Sequence, residues 1–328
     1  MPANLTPEYF EAEKKYRSAR TIEEKIAALR EMLAVMPKHK GTDKLQADIR
    51  AKISKLQKLL KEERKAGGRR RFLYPRREGA GQAALVGPPN SGKSSLIASL
   101  TEAHPVVADY PFSTHEYVPG MMPFEDIQIQ LIDLPPFMRG HITFWQTDIV
   151  RNADLILLVA DMSVDSVIED LQEVIELLDE KKIKLIGSGQ RVDDIFGPVH
   201  KRTILIANKM DADGADERLE ILKEFFGDFP IMPVSTLDGT GLDKLPALIF
   251  RELEVIRVYT KEPGHPPDME DPLILPIGAT VLDAAEKIHK DFARKLKYAR
   301  LWGSSRFGGQ RVERHYKLQD RDIVEFHI

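Results

Sequence analysis

The run Gly87-Pro88-Pro89-Asn90-Ser91-Gly92-Lys93-Ser94 fits the pattern G-x-x-x-x-G-K-[ST]. A loop of that composition turns backbone N–H groups toward phosphate oxygens, while the lysine reaches the β and γ phosphates and the serine hydroxyl ligates Mg²⁺. The apolar stretch 83–86 precedes it and a helical stretch, 95–100, follows, so Ser95 falls in the first turn of a helix whose N-terminus favours anions. Composition alone would yield this pattern in about 1 % of chains of this length. Correct strand-to-helix context lowers that further.

A second motif, Asn208-Lys209-Met210-Asp211, follows the apolar stretch 203–207. A carboxylate there can accept hydrogen bonds from the N1–H and exocyclic amine of guanine. Adenine offers an acceptor at N1 and would leave Asp211 unmatched, which makes the discrimination steep. Ser235 and Thr236, after the stretch 231–234, can complete the base pocket through backbone groups. Asp133, after 127–132, is placed to hold the water shell of Mg²⁺. Thr114 is a candidate hydroxyl ligand of the same ion in the triphosphate state, with Ser113 the competing assignment. Lys93, Thr114 and Asp133 are therefore the catalytic candidates.

These motifs need a scaffold that brings strand ends together. From residue 83 onward, short apolar strands at 83–86, 127–132, 155–160, 203–207 and 231–234 alternate with helical stretches, the pattern of a mostly parallel sheet with helices on both faces. Ligands bind such sheets at the carboxyl ends of the strands. The 328 residues suffice for two or three domains, and the expected division is 1–66, a helical hairpin arm; 67–80, a basic linker; 81–256, the α/β domain; and 257–328, a small α+β module. In the arm, Pro37 and Gly41 mark a break between two helices, and Leu45, Ile49, Ile53, Leu56 and Leu60 recur at steps of three and four. Such a stripe packs on a neighbouring domain or docks on a partner helix.

The absence of cysteine excludes disulfides, thiolate metal sites and cysteine nucleophiles. No apolar run approaches the length of a membrane span, and the N-terminus does not read as a signal peptide. A cytoplasmic location is the expectation. The net charge of −3 conceals segregation: residues 1–78 carry +10, residues 257–328 carry +2, and the middle carries −15. Basic arms around an acidic centre suggest a polyanionic partner for the flanks. In the linker, Arg69, Arg70, Arg71, Arg76 and Arg77 interleave with Phe72 and Tyr74, a composition suited to nucleic acid or to a solvated linker.

The phosphate-loop run, together with Ala108-Asp-Tyr-Pro-Phe-Ser-Thr, Val118-Pro-Gly-Met-Met and Gln130-Leu-Ile-Asp-Leu-Pro, resembles the Obg superfamily of GTPases, within it the developmentally regulated GTP-binding protein (DRG) branch. Tyr259-Thr-Lys-Glu-Pro-Gly, Ile288-His-Lys-Asp-Phe, Tyr298-Ala-Arg-Leu-Trp-Gly-Ser-Ser and Asp320-Arg-Asp-Ile-Val are similar to the TGS module of that branch, a ubiquitin-like β-grasp fold. The resemblance implies a P-loop GTPase domain with a C-terminal TGS domain, GTP and GDP as ligands, Mg²⁺ as cofactor, and RNA or the ribosome as partner. It implies no reader of DNA sequence.

Two departures stand out. Eukaryotic and archaeal members of the branch carry an extra small domain between the third and fourth motifs, and Asp133 to Asn208 leaves no room for it. The family pattern Asp-x-x-Gly, whose glycine N–H donates to the γ-phosphate, is here Asp133-Leu134-Pro135-Pro136, and proline has no N–H. Phe137 stands where Ras-like enzymes place a water-orienting glutamine. Asn90 is similar to the asparagine that holds K⁺ against the phosphates in related GTPases, or is only a turn residue. Slow turnover without an activator is expected, and an alternative is a nucleotide-gated binding module that hydrolyses little.

In the C-terminal segment a single helix is expected over 282–296, with Lys287, Lys290, Arg294 and Lys297 on one face and Arg300, Arg306, Arg311 and Arg314 following. Such a stripe is a solvated face or an RNA contact. His104, His115, His141, His265, His289 and His315 lack ligand spacing, so no transition-metal site is expected.

Overall fold

Thr6 and Pro7 start the first helix as local chemistry dictates: the Thr6 side chain accepts from the Tyr9 N–H, and Pro7 stands at the first helical turn, where no donor is needed. The computed structural model of the protein describes residues 6–19, 22–37, 42–65, 75–101, 117–190 and 197–327. Contacts divide the chain into two compact units, residues 1–73 and 74–328. The first holds α1 (Pro7–Ser18), α2 (Ile22–Val35) and α3 (Asp43–Lys65), with α2 packed on both others.

The break at Pro37 is present, and the Thr42 hydroxyl donates to the Pro37 carbonyl at 2.7 Å across it. A second break divides the first arm of the expected hairpin, because Ala19 turns extended (φ −67°, ψ 130°). Its sequence signal is Thr21 followed three residues later by Glu24, a helix-start signature. Of the apolar stripe on α3, Ile49 is fully buried and Leu45, Ile53 and Leu56 are half-buried.

The second unit begins with β1 (Gln82–Val86), α4 (Lys93–Leu100), β2 (Val118–Phe124), β3 (Ile127–Asp133), α5 (Phe144–Asn152) and β4 (Leu155–Asp161). It continues with α6 (Val167–Glu180), β5 (Ile183–Ile186), β6 (Val199–Asn208), α7 (Ala215–Phe226), β7 (Ile231–Pro233) and α8 (Leu245–Glu252). The sheet runs β2-β3-β1-β4-β6-β5, with β7 also on β6. Every pairing is parallel except β2 with β3. β1 and β4 are buried along their whole length, which is why they read as unbroken apolar runs rather than alternating ones. Leu85, Leu96, Ile129, Leu131, Leu157 and Ile206 share one core. β2 escapes sequence patterning because its residues, Val-Pro-Gly-Met-Met-Pro-Phe, contain two prolines and a glycine. It is an edge strand, the place where a sheet tolerates proline.

The remaining elements are β8 (Val255–Lys261), β9 (Pro267–Pro276), α9 (Val281–Ile288), α10 (Lys290–Lys295), β10 (Tyr298–Trp302), β11 (Gln310–Val312) and β12 (Asp322–His327). They form a five-stranded sheet in the order β11-β10-β12-β8-β9 over its own core, which includes Val258, Val281, Leu296, Leu301 and Val324.

The single helix expected over 282–296 is a correction. His289 adopts φ −165° and ψ 140°, ending α9, and its side chain accepts from the Asp291 N–H at 3.2 Å to start α10. A capping side chain thus outcompetes helix continuation. The expected one-face stripe is split: Lys287 lies on α9, Lys290 and Arg294 on α10, and Lys297 beyond both.

Leu157 is fully buried in the central strand β4. Leu157→Ala is expected to cost about 2–5 kcal/mol of stability by urea denaturation. A loss under about 1 kcal/mol would place Leu157 outside a packed core.

Candidate nucleotide site

The loop after β1 can pass close to β4 only because residue 87 lacks a side chain: a Cβ there would meet the Val159 carbonyl oxygen at 2.6 Å. Gly92 has φ +89°, and a Cβ there would stand 2.2 Å from the Asn208 amide nitrogen. The two motif glycines therefore seat the loop against the ends of β4 and β6. Asn208, fully buried, donates from Nδ2 to the Ser91 carbonyl at 2.9 Å and ties the two motifs together. Its Oδ1 is buried and has no partner among the described residues.

Lys93 is buried at the start of α4, and its Nζ donates to the carbonyls of Gly87 (3.1 Å) and Pro88 (2.7 Å) and to Ser91 Oγ (3.4 Å). Burial pushes its pKa down to about 8, against the opposing pull of the Asp133 charge. Ser94 Oγ donates to Asp133 Oδ2 at 2.5 Å. Burial lifts the Asp133 carboxyl above the usual range, and the Ser94 hydrogen bond and the Lys93 charge counter it. Asp133 Oδ1 is buried with no partner among the described residues. A hydroxyl and a carboxylate in contact, one oxygen left over, make a hard oxygen donor set that fits Mg²⁺.

On the other side, Lys209 sits in the left-handed region (φ 67°), and its Nζ donates to Asp161 Oδ2 at 2.5 Å. The second Asp161 oxygen accepts from the Ser163 N–H (2.9 Å) and Oγ (2.5 Å). Asp161 opposes its own burial through these bonds, and its pKa stays below the usual range. Asp211 Oδ1 accepts from Ser235 Oγ at 2.5 Å, and that hydroxyl oxygen in turn accepts from the N–H groups of Leu237 and Asp238, both at 3.2 Å. Met210 N–H donates to the Val234 carbonyl at 3.1 Å, so the residue that follows β7 holds the second motif in place.

One cavity of about 550 Å³ is lined by Asn90, Gly92, Lys93, Ser94 and Ser95, by Asp133 to Pro136, and by Lys209 and Thr236. It joins residues from both motifs. Gly87, Pro88 and Ser91 lie behind its loop wall, Pro89 is exposed beside it, and Asp211 with Ser235 stands next to the Lys209 and Thr236 side. Thr114, its competitor Ser113 and the rest of the 108–114 motif lie outside the described residues, as do Arg69, Arg70, Arg71, Phe72 and Tyr74 of the linker. Pro136 lines the cavity with no N–H to offer. Phe137 is buried, 2 % exposed, and its N–H donates to the Gly87 carbonyl at 3.2 Å. Neither residue supplies a donor to the cavity.

Asp161 is the residue that motif reading missed. It ends an apolar strand beside the other motif-bearing strands, which is the signal that could have found it.

The family described as "50S ribosome-binding GTPase" matches residues 82–188, and the TGS domain matches residues 256–328. An uncharacterized GTP-binding protein of Methanocaldococcus jannaschii is 32 % identical, covering 92 % of this chain and 92 % of its own. That alignment spans 364 positions, more than the 328 residues here, so the relative has residues without a counterpart in this chain. Developmentally-regulated G-protein 1 of Arabidopsis thaliana is 26 % identical over 92 % of this chain and 90 % of its own. Among solved structures, the YchF GTPase of Schizosaccharomyces pombe covers 78 % of this chain at 14 % identity and a TM-score of 0.48. With a GTPase-family match, a TGS domain and a relative 32 % identical across 92 % of both chains, the chain belongs to the family of GTP-binding proteins that includes the developmentally regulated G-proteins.

Proposed function

We propose that the chain hydrolyses GTP to GDP and phosphate with Mg²⁺, slowly on its own, and acts as a regulatory switch linked to the ribosome or its RNA. The observation that carries the reading is that Lys93, Ser94 and Asp133 line one and the same cavity as Lys209 and Thr236. Loop N–H groups and Lys93 hold the phosphates. Ser94 and Asp133 would hold Mg²⁺, which when bound would supply positive charge against the phosphates. Asp211, aimed by Ser235, accepts from guanine.

The slow rate follows from Phe137 and Pro136. With the Phe137 ring buried and its N–H bonded to Gly87, the described residues give no water-orienting group at that position. Asn90, exposed at the loop tip and lining the cavity, would hold K⁺ in this reading, and that cation would supply part of the missing charge stabilisation. The same facts favour a second reading, a nucleotide-gated binding module with little hydrolysis.

Phosphate release from GTP separates the two. Turnover of about 10⁻⁴ to 10⁻² s⁻¹ is expected, lost in Lys93→Ala and faster in potassium than in sodium buffer. Tight GTP binding without release, with activity appearing in Pro136→Gly, would establish the binding module instead.

Lys93 also sets a pH dependence. Its pKa in the free site is about 8, and phosphate oxygens favour the charged form, so binding above that pH takes up a proton. GDP affinity is therefore expected to fall as pH rises, by about five- to tenfold between pH 7 and 8.8. Isothermal titration in buffers of different ionisation enthalpy reads both the affinity and the proton. A flat profile in Lys93→Arg, whose side chain does not titrate in this range, is the control.

In this reading the polyanionic partner binds the basic N-terminal arm and the TGS domain, on the latter through its sheet rather than the divided helical stripe. On β10, Ala299 and Leu301 enter the core, so Tyr298, Arg300 and Trp302 face outward. Arg311 lies over the Tyr298 ring at 4.1 Å, Tyr298 stacks on His327 at 4.5 Å, and Lys261 lies over Trp302 at 5.0 Å. Rings and cations interleaved in this way suit unpaired bases and their phosphates. No described helix is long and apolar enough to cross a membrane, and a cytoplasmic site of action accompanies this reading. Affinity for single-stranded RNA is expected to fall on the order of tenfold between 50 and 200 mM salt, and less steeply in Arg300→Ala/Arg311→Ala. Salt-independent binding by fluorescence anisotropy would remove RNA as the partner.

A further inference from the structure

The turn between β2 and β3 is built against its own local chemistry. Phe124 pairs with Ile127, so the loop is the two residues Glu125 and Asp126, where Asn-Gly or Asp-Gly is the favoured pair. Glu125 takes φ 52°, a left-handed conformation uncommon for a residue with a Cβ. What holds this turn comes from the TGS domain. Arg257 on β8, its side chain only 3 % exposed, donates from Nη1 to Glu125 and, at 2.6 Å, to Asp126. The same guanidinium is gripped from within its own domain by Asp320, at 2.6 Å to Nη2 and 3.1 Å to Nε. Tyr259 Oη donates to Asp126, and Arg321 adds a bond to Glu125. The guanidinium also lies 4.8 Å over Phe250, itself against Phe124.

The opposite end of this hairpin is the nucleotide site. Pairing runs without a register shift from Phe124–Ile127 to Val118–Asp133, about 20 Å of ladder at 3.3 Å per residue. Asp133 is the carboxylate on Ser94. β2 is a weak strand by composition and lies at the sheet edge, and the clamp holds the end of the hairpin remote from Asp133.

We propose that Arg257 is a positioning residue for the nucleotide site: through the β2–β3 hairpin it sets where Asp133 stands against Ser94, and so couples the TGS domain to Mg²⁺-dependent GTP binding. This rests on the reading of the site given above. Coupling of this kind is reciprocal, so a partner that shifts the TGS domain changes nucleotide affinity, and the nucleotide changes partner affinity by the same factor. The electrostatics support a strong joint. Removing the arginine takes the shared cation from three neighbouring carboxylates and leaves only Glu125 with a second one, Arg321, a costly arrangement for groups that are partly buried.

The test measures binding of a non-hydrolysable GTP analogue to the full chain, with Mg²⁺ and with EDTA. Arg257→Gln and Glu125→Gln/Asp126→Asn are each expected to weaken binding about five- to twentyfold in Mg²⁺ and less than twofold in EDTA. Combined, they should cost no more than either alone, because they remove one interaction. Tyr259→Phe, which drops a single hydroxyl and keeps the packing, is expected to shift affinity in the same direction by about two- to threefold if the larger changes unfold the protein. Folded variants that bind the analogue as wild type does, in Mg²⁺ and EDTA alike, would make the clamp mere interdomain glue and overturn the proposal. Wild-type protein that binds no guanine nucleotide would overturn the reading of the site itself, and the positioning role with it.

Discussion

The site depends on one buried amide. Asn208 Nδ2 donates to the Ser91 carbonyl and joins the end of β6 to the middle of the phosphate loop, 117 residues away in sequence. The approach is possible because Gly92 offers no Cβ to the amide and Gly87 none to the Val159 carbonyl. A methyl group at either place would displace the loop from the sheet. Since such a bond in the interior leaves its partner unsatisfied when broken, at about 1–3 kcal/mol, the loop of Gly87–Ser94 and the motif of Asn208–Asp211 support each other's placement.

The sheet explains why these groups converge. β1 lies between β3 and β4, with β6 next, all parallel, so the residues that follow them emerge at one edge. β3, β4 and β6 each end on one polar residue, Asp133, Asp161 and Asn208, and β1 leads straight into the loop at Gly87. Burial of those strands gives the low-dielectric surroundings that pull Lys93 down and push Asp133 up. Asp161 shows the contrast, since Lys209 and the N–H and hydroxyl of Ser163 hold its pKa below the usual range against its burial.

Much of this is legible in the residue order, for a physical reason. The strands that carry the motifs are buried on both faces and so advertise themselves as apolar runs, and the loop motif needs glycine where backbones meet. β2 is illegible by the same logic, because an edge strand need not avoid proline and its pairing comes from β3. The break at His289 is invisible to periodicity: the apolar spacing continues through it, and a single ring nitrogen capping Asp291 decides the outcome. Arg257 could not be singled out from the sequence either. It is one basic residue among many, and its partners Glu125 and Asp126 lie more than 130 positions upstream. Only tertiary folding shows that a guanidinium in one domain holds the turn of a hairpin in another.

Pro136 and the clamp belong to one line of reasoning. A γ-phosphate can inform the rest of a switch protein through an N–H that it pulls toward itself, and at position 136 there is none. Phe137, next along, is committed to Gly87 and to the core. On the proposed reading, the segment from Leu134 to Phe137 is a fixed wall, and the Gln146 amide bonded to the Pro135 carbonyl at 3.1 Å braces it further. What remains to respond is Asp133, whose second oxygen has no partner among the described residues and whose strand runs to the acidic turn under Arg257. Chemistry lost at the usual sensor leaves the hairpin as the path along which the occupied site can act on the TGS domain.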